Sequence, residues 1–440
     1  MNPVSKFAVL SDVSVALLSG LVLFFVFSPY DSRDRARAER EALTGRSSTP
    51  MEIALVWPAE NGHAFVKGAA LAVQQINDSG GISLIGENGQ AVKTRLHIAD
   101  IYDEYADRDI GRTARRIVNN RNLSAVIGHS DPDGAIRASV TYQDYGLLYL
   151  SPDVSDLHLT DHGFWTTVQT IPEDAVISDS IVQFALKRGY QDAGILYVRN
   201  SYGETYERLL REGMGKYFAS HGAGTNRAAI KLAFEGYYAE DQRSFYLLIS
   251  QLLHAKFDVL FVADTLIGDS GPRTLELLRQ LREMGVNQPI VGTEELHSSA
   301  VWYALREKAN HMFAPIMVEL TSNTPNPAVR RFRNGFVEMF GELPTIHASE
   351  SYEAVLLLAQ AAERAGSKVP IKMSIMFKST TKWNGLQGEG AYDFSPAGGV
   401  LGKHVFVEEM KDGNFITPAV IEGKTVLTNT HNLPRLNRPK

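Results

Sequence analysis

The chain has 440 residues, of which 44% are hydrophobic and 21% charged; these are ordinary values for a folded protein of two or three domains. Its net charge of -6 argues against nucleic-acid binding, which needs a basic surface that neutralises phosphates. The absence of cysteine excludes disulfides, thiolate metal sites, cysteine nucleophiles and a lipid anchor attached to cysteine.

The N-terminal segment is apolar and long. Residues 13–27 carry no charge, and with residues 7–10 they form a stretch close to the ~20 residues that cross a bilayer as a helix. We therefore predict a membrane anchor over residues 7–28. A cleaved signal peptide is the alternative, but it needs small residues soon after the apolar run, where this chain has SPYDSRDR.

The next segment is polar. Residues 29–50 are rich in charge and end in TGRSSTP, which predicts a flexible tether without a core of its own. Its arginines favour a cytoplasmic main domain by the positive-inside rule, which leaves the orientation of the anchor open at this point.

From Met51 onward, short apolar runs alternate with amphipathic segments. EIALVW at residues 52–57 predicts a strand, and residues 65–78 have apolar positions at helical spacing before the SGGI stop. Repetition of this pattern predicts βαβ units, hence doubly wound parallel sheets that are covered on both faces. A break near residues 170–174 indicates two α/β lobes, and the final segment predicts antiparallel strands with a KDGN turn.

Ligands of open α/β sheets lie beyond the carboxyl ends of the strands. This rule predicts that the ligand-binding loops are at residues 57–63, 128–134, 151–155, 199–203, 263–268 and 292–295.

One of these loops, VIGHSDPDGA, carries a histidine and two aspartates. No calcium-loop register follows Asp131 and Asp133, and His129 lacks a spaced partner, so we predict a hydrogen-bonded structural histidine rather than a metal ligand. Asp133 either contacts a ligand or caps the helix that begins near Ala135. The sequence contains no nucleophile elbow, P-loop or dinucleotide fingerprint, and we expect neither an enzyme nor a cofactor.

Several motifs occur in an order that is typical of one family. They are GAALAVQQINDSGGI, AVIGH, LLYLSPDVSDLHLT, ILYVRNSYGE, LRQLREMG, NPAVRRF, SYEAVLLLAQAAERAGS and MKDG. Over residues 52–416 the chain resembles type I periplasmic solute-binding proteins, in the branched-chain amino-acid and amide-binding branch of ABC-importer receptors.

The resemblance implies two lobes that are joined by a three-strand hinge and close on a ligand. It places the first lobe at residues 51–170 plus about 298–385, the second at 171–297 plus about 386–425, and a tail at 426–440. It also implies a periplasmic or extracytoplasmic location, anchored to the inner membrane by the N-terminal helix. Long domains are translocated largely regardless of nearby charge, so this implication outweighs the arginines.

The resemblance also implies ligand contacts. Tyr202, Glu294 and Ser155 match positions that contact the ligand in the family. We also expect ligand contacts at five positions where this chain does not match the family's usual residues. These are Trp57, Asn61, Asp133, Asp153 and Thr265.

The resemblance therefore implies a receptor that captures a small polar solute and delivers it to an ABC-type permease. Carboxylates at Asp133 and Asp153 would repel an anionic group, so we expect a ligand other than a standard aliphatic amino acid. A ligand-binding sensor of the same fold, which signals to a partner protein, is the alternative. An enzyme would require an unrecognised acid–base pair, such as Asp133 and Glu294, that faces one pocket.

Overall fold

The computed structural model describes residues 32–59, 62–106, 109–220, 230–264, 270–321 and 324–416. Within these ranges no helix combines the length and apolar character that a membrane span requires. The predicted anchor or signal at residues 7–28 and the tail at 426–440 lie outside the described residues.

Strands and helices alternate along most of the chain. The first part comprises α1 (residues 32–44), β1 (Met51–Trp57), α2 (Gly62–Asp78), β2 (Ile82–Ile85), β3 (Ala91–Thr94), β4 (Leu96–Asp103), α3 (Ile110–Asn119), β5 (Leu123–Gly128), α4 (Pro132–Asp144), β6 (Leu148–Ser151), α5 (His158–Asp161) and β7 (Thr167–Gln169). The second part comprises α6 (Asp174–Lys187), β8 (Asp192–Val198), α7 (Ser201–Ser220), β9 (Lys231–Tyr238), α8 (Tyr246–Leu252), β10 (Val259–Ala263), α9 (Ser270–Glu283), β11 (Ile290–Val291), α10 (Ser299–Leu305) and β12 (Met312–Ile316). The last part comprises α11 (Pro327–Phe340), α12 (Ile346–Ala365), α13 (Pro370–Ser379), β13 (Trp383–Gly385), β14 (Gly388–Phe394), β15 (Val400–Leu401), β16 (Phe406–Lys411) and β17 (Asn414–Ile416).

Two main sheets organise these elements. The five-stranded sheet has the order β4-β1-β5-β6-β7 and is parallel throughout. The seven-stranded sheet has the order β17-β16-β12-β11-β10-β8-β9, with β16 and β17 antiparallel at one edge. Every residue of β5 and of β10 is buried, as expected for parallel strands that are covered by helices on both faces. The predicted α/β class with parallel sheets is therefore confirmed.

Sheet membership defines two lobes. The first lobe contains the five-stranded sheet, α11 to α13, which pack beside it through α2, and β13 to β15, which join it through a Gln169–Gly399 bridge. The second lobe contains the seven-stranded sheet with α6 to α10. This membership differs from the sequence boundaries, because β12 pairs with β11 in the second lobe and residues 383–401 lie with the first. Strand pairing between distant segments decides both points.

The chain crosses between the lobes three times, at residues 169–174, 316–327 and 401–406. Lys403 Nζ donates a hydrogen bond to the carbonyl oxygen of Thr170 at 2.9 Å. Gln387 Nε2 donates to the carbonyl oxygens of Met317 at 2.6 Å and His404 at 2.8 Å. These bonds tie the three crossovers to one another.

The prediction of a flexible tether is wrong for residues 32–44, because they form a docked helix. Arg40 is fully buried, and its guanidinium donates to the carbonyl oxygens of Val118 and Leu123, both at 2.8 Å. It also donates to Asn120 and Tyr145, which follow α3 and α4. Helix carboxyl ends carry unpaired carbonyls and partial negative charge, which explains why a buried arginine docks there.

Candidate functional site

A cleft of about 290 Å³ lies between the two lobes. Each wall is formed by segments that follow the carboxyl ends of parallel strands, as the general rule for such sheets requires. The first lobe contributes residues after β5 and β6, and the second contributes residues after β8, β9 and β11.

The cleft is strongly acidic. Of the described residues that line it, none is a lysine or an arginine, whereas six carry carboxylates. These six are Asp131, Asp133, Asp153, Glu240, Glu294 and Glu295. Burial raises the pKa of Glu294 well above its ordinary value, and the neighbouring Glu295 adds to that increase. Glu294 Oε2 is buried and has no hydrogen-bond partner within the described part of the chain.

Five of the predicted contact residues line this cleft, namely Asp133, Asp153, Ser155, Tyr202 and Glu294. Trp57 does not line it: the indole is 2% exposed and stacks on Phe65 with ring centroids 4.1 Å apart. Two further predicted residues, Asn61 and Thr265, lie outside the described residues.

The loop VIGHSDPDGA begins with a sharp bend. Gly128 has φ +139°, and a Cβ atom there would lie 1.9 Å from the carbonyl oxygen of Val56, so only glycine fits. Asp131, not Asp133, caps α4, because its Oδ1 accepts a hydrogen bond from the Gly134 amide at 2.6 Å. The helix starts at Pro132, earlier than predicted, which leaves the exposed side chain of Asp133 at the cleft wall.

His129 turns away from the cleft into a buried polar cluster, in agreement with its predicted structural role. Its Nδ1 lies 2.9 Å from Glu104 Oε1, and its Nε2 lies 2.8 Å from the hydroxyl of Tyr142. Ser130 donates to Glu104 Oε2 through both its amide and its hydroxyl. Burial alone would raise the pKa of Glu104, but bonds from His129 and Ser130 hold it below its ordinary value.

Ser155 is also engaged by a carboxylate. Its hydroxyl donates to Asp174 Oδ1 at 2.5 Å, and its carbonyl oxygen accepts from the Asp174 amide at 3.0 Å. Burial raises the pKa of Asp174 to about 6. The hydroxyls of Ser130 and Ser155 are therefore both already bonded to acids of the protein.

A second histidine, half-buried, lies where the lobes meet. We use the name interlobe cluster for Asp153, Glu295, His347 and Glu350. His347 Nδ1 lies 3.1 Å from Glu350 Oε2 and 3.6 Å from Asp153 Oδ1, while Nε2 lies 3.8 Å from Glu295 Oε1. Only Glu295 comes from the second lobe, so the cluster bridges the hinge.

Charge in the interlobe cluster is unbalanced. Burial raises the pKa of Asp153 to about 6 and that of Glu295 to about 7. Burial would lower the pKa of His347, yet the surrounding carboxylates raise it well above its ordinary value. Asp153 Oδ1 has no hydrogen-bond partner among the described residues.

Sequence reasoning missed His347, Glu350 and the role of Glu240. Glu295 falls within the predicted loop at residues 292–295 and could have been chosen there. His347 lies in the first turn of α12, far along the chain from the strand-end loops, and gives no local signal of its place beside Asp153.

Comparisons with known proteins agree with the fold. The model of the periplasmic binding protein family matches residues 57–414. A "Leucine-, isoleucine-, valine-, threonine-, and alanine-binding protein" of Pseudomonas aeruginosa is 25% identical over 340 residues, which cover 75% of this chain and 83% of the relative. The "Leu/Ile/Val-binding protein homolog 1" of Brucella suis is 25% identical over 339 residues, covering 74% and 80%.

A solved structure shows the same fold. The ABC transporter substrate-binding protein from Desulfitobacterium hafniense, solved in complex with Leu, has a TM-score of 0.69 and 24% identity, and the match covers 83% of this chain and 99% of that one. Together with the two-lobed architecture, the match over residues 57–414 shows that the chain belongs to the periplasmic binding protein family.

Proposed function

We propose that the chain is an extracytoplasmic receptor that captures a small cationic solute between its lobes and delivers it to an ABC importer. The acidic cleft carries this proposal: six carboxylates line it, and its described lining residues include no lysine or arginine. Opposite charges attract and like charges repel across a cleft of this size, so a cation is favoured over an anion.

The groups that could hold a ligand carboxylate are already engaged. Ser130 and Ser155 donate their hydroxyls to Glu104 and Asp174. The amino-terminal end of α4 would otherwise suit an anion, but Asp131 caps it. An aliphatic α-amino acid would have to place its carboxylate against these acids, which supports a ligand that lacks one.

Glu294 and Tyr202 are the central contacts in this proposal. Glu294 Oε2 is buried without a partner among the described residues, as expected of an acceptor that awaits a ligand donor. An aromatic face such as that of Tyr202 attracts an organic cation. Because burial raises the pKa of Glu294, arrival of a cation would favour its ionised form and release a proton.

Hinge closure would complete the site. The first lobe contributes Asp133, Asp153 and Ser155, and the second contributes Tyr202 and Glu294. Closing the lobes around a solute removes water from both walls, and the closed form is what a permease would recognise.

A thermal-shift screen of the purified full chain tests the proposal. Putrescine, agmatine and choline represent cations without a carboxylate, and leucine, isoleucine and valine represent the ligands of the relatives. A ligand at 100 times its Kd stabilises the native state by about 2.7 kcal/mol, so we expect a saturable rise in melting temperature with at least one cation and none with the aliphatic amino acids.

Two variants make the test specific. Glu294→Gln should abolish the response to the cation, whereas Glu342→Gln, at an exposed acid outside the cleft, should leave it unchanged. A saturable response to leucine, isoleucine or valine that survives Asp133→Asn would refute a cationic ligand.

A further inference from the structure

We propose that the interlobe cluster is a transition-metal site that binds Zn²⁺ through Asp153, Glu295 and His347. One nitrogen and two carboxylate donors, with a water in the fourth position, is a common zinc coordination set. Calcium and magnesium prefer ligand sets made of oxygen alone, which a histidine does not suit.

The three donors already converge. One ligand atom from each residue lies within 4.8 Å of the other two. Tetrahedral zinc with bonds near 2.1 Å separates its ligand atoms by about 3.4 Å, so the donors need to approach by roughly 1 Å. Since Glu295 belongs to the second lobe and the other two to the first, a small closing movement would supply that approach.

Carboxylates face both ring nitrogens of His347, with Asp153 Oδ1 3.6 Å from Nδ1. Its Nδ1 lies 3.1 Å from Glu350 Oε2, and a carboxylate can only accept there, so Nδ1 carries the proton. Nε2 faces Glu295 Oε1 at 3.8 Å and would bind the ion in its deprotonated form. A carboxylate that holds the opposite ring nitrogen of a metal-binding histidine is a frequent outer-shell arrangement.

The unpaired carboxylate oxygen of Asp153 is an independent observation. The residue is 7% exposed, and its Oδ1 is buried without a hydrogen-bond partner in the described ranges. Three buried carboxylates surround one imidazole, and in those ranges none of the three has a lysine or arginine ion-pair partner. A divalent cation would balance the negative charge of the carboxylates and would give Oδ1 a partner to bind.

Zinc at this position would act on the hinge in the same direction as the solute. Its ligands come from both sides of the hinge, so it would favour the closed arrangement of the lobes by its binding free energy. Asp153 and Glu295 belong to both sites, because they also line the solute cleft. His347 does not line that cleft, so a change at His347 tests the zinc site alone.

The test is a Zn²⁺ titration of the purified, chelator-treated full chain by calorimetry. We expect one Zn²⁺ per chain, and removal of a ligand in His347→Ala should weaken binding by at least about 100-fold. The isosteric Glu295→Gln should also weaken it strongly, and this covers the case in which His347→Ala fails to fold. Glu350→Gln should have a smaller effect, about tenfold, because that residue only orients the imidazole.

His158→Ala is the matched control. His158 also pairs with an aspartate, at 2.7 Å from Asp156, but lies on the surface. It should leave Zn²⁺ binding unchanged, and Co²⁺ should show the visible spectrum of a four-coordinate site in the control protein and lose it in His347→Ala. Absence of stoichiometric binding, or loss of binding in His158→Ala instead, would overturn the proposal. Tyr202→Ala should reduce the response to the solute and spare Zn²⁺, so the two proposals can fail separately.

Discussion

Two histidines of the first lobe, one fully buried and one half-buried, meet carboxylates in opposite ways. His129 lies within that lobe, and both ring nitrogens meet a partner, in Glu104 and Tyr142. His347 lies at the boundary of the lobe among three carboxylates, one of which leaves an oxygen unpaired.

The difference separates stability from function. A buried polar network whose members are all bonded makes the fold rigid, whereas one with unmet bonds costs stability. Unmet bonds and perturbed carboxyl groups concentrate at sites that bind something. On this reasoning the His129 cluster supports the wall of the cleft, and the interlobe cluster is the proposed metal site.

The largest expected effect comes from breaking the satisfied cluster. His129→Asn should lower the free energy of unfolding by about 3 kcal/mol, because Glu104 and Tyr142 lose buried partners. Asparagine tolerates the φ of +60° at this position, so the loss reports hydrogen bonds rather than backbone strain. Urea unfolding measures it, with the exposed His162→Asn as control. A loss no larger than in that control would contradict the structural role of His129.

The next effect concerns Asp174, a buried carboxyl whose side chain has one hydroxyl donor. Burial raises its pKa from 3.8 to about 6, so within that range the folded state holds a proton that the unfolded state has lost. The free energy of unfolding therefore falls as pH rises through the range. Asp174→Asn should therefore raise the free energy of unfolding by up to about 3 kcal/mol at pH 8 and by about half of that at pH 5. Thermal melts at the two pH values give the comparison, and an equal gain at both would show that the carboxyl does not titrate in this range.

A smaller effect of opposite sign to His129→Asn is expected in the interlobe cluster. In the metal-free protein, Glu295→Gln should stabilise the fold by about 1 kcal/mol, because it removes one of three crowded carboxylates. Glu104→Gln should destabilise it, since Glu104 accepts bonds that an amide cannot all replace. Equal signs in urea unfolding would mean that the two clusters are alike.

The smallest effect is expected at Trp57, which packs 5.2 Å from the His347 ring. Its Nε1 is buried without an acceptor among the described residues, so Trp57→Phe removes an unpaired donor as well as some packing. These contributions oppose each other, and we expect a net loss below about 1 kcal/mol. A loss several times larger would indicate that the indole nitrogen has a partner.

Much of the local structure follows from the sequence. Asn326 and Pro327 start α11 as their cap and first-turn preferences predict, and the KDGN turn joins β16 to β17. Asp109 precedes α3 and caps it, as an aspartate before a helix tends to do. Edge strand β9 gives a weaker sequence signal, because its partly exposed residues lack the continuous apolar run of the buried strands.

The sequence by itself determined the alternation of strands and helices, the family resemblance and the loops that form the cleft, because periodicity and turn chemistry act over a few residues. Tertiary structure alone decided the sheet that receives β12, the docking of Arg40 on two helix ends, and the meeting of His347 with Glu295. These depend on contacts between segments far apart in the chain, and no local pattern records them. The acids in VIGHSDPDGA were visible from the start, but only the fold distinguishes Asp131, which caps a helix, from Asp133, which faces the cleft.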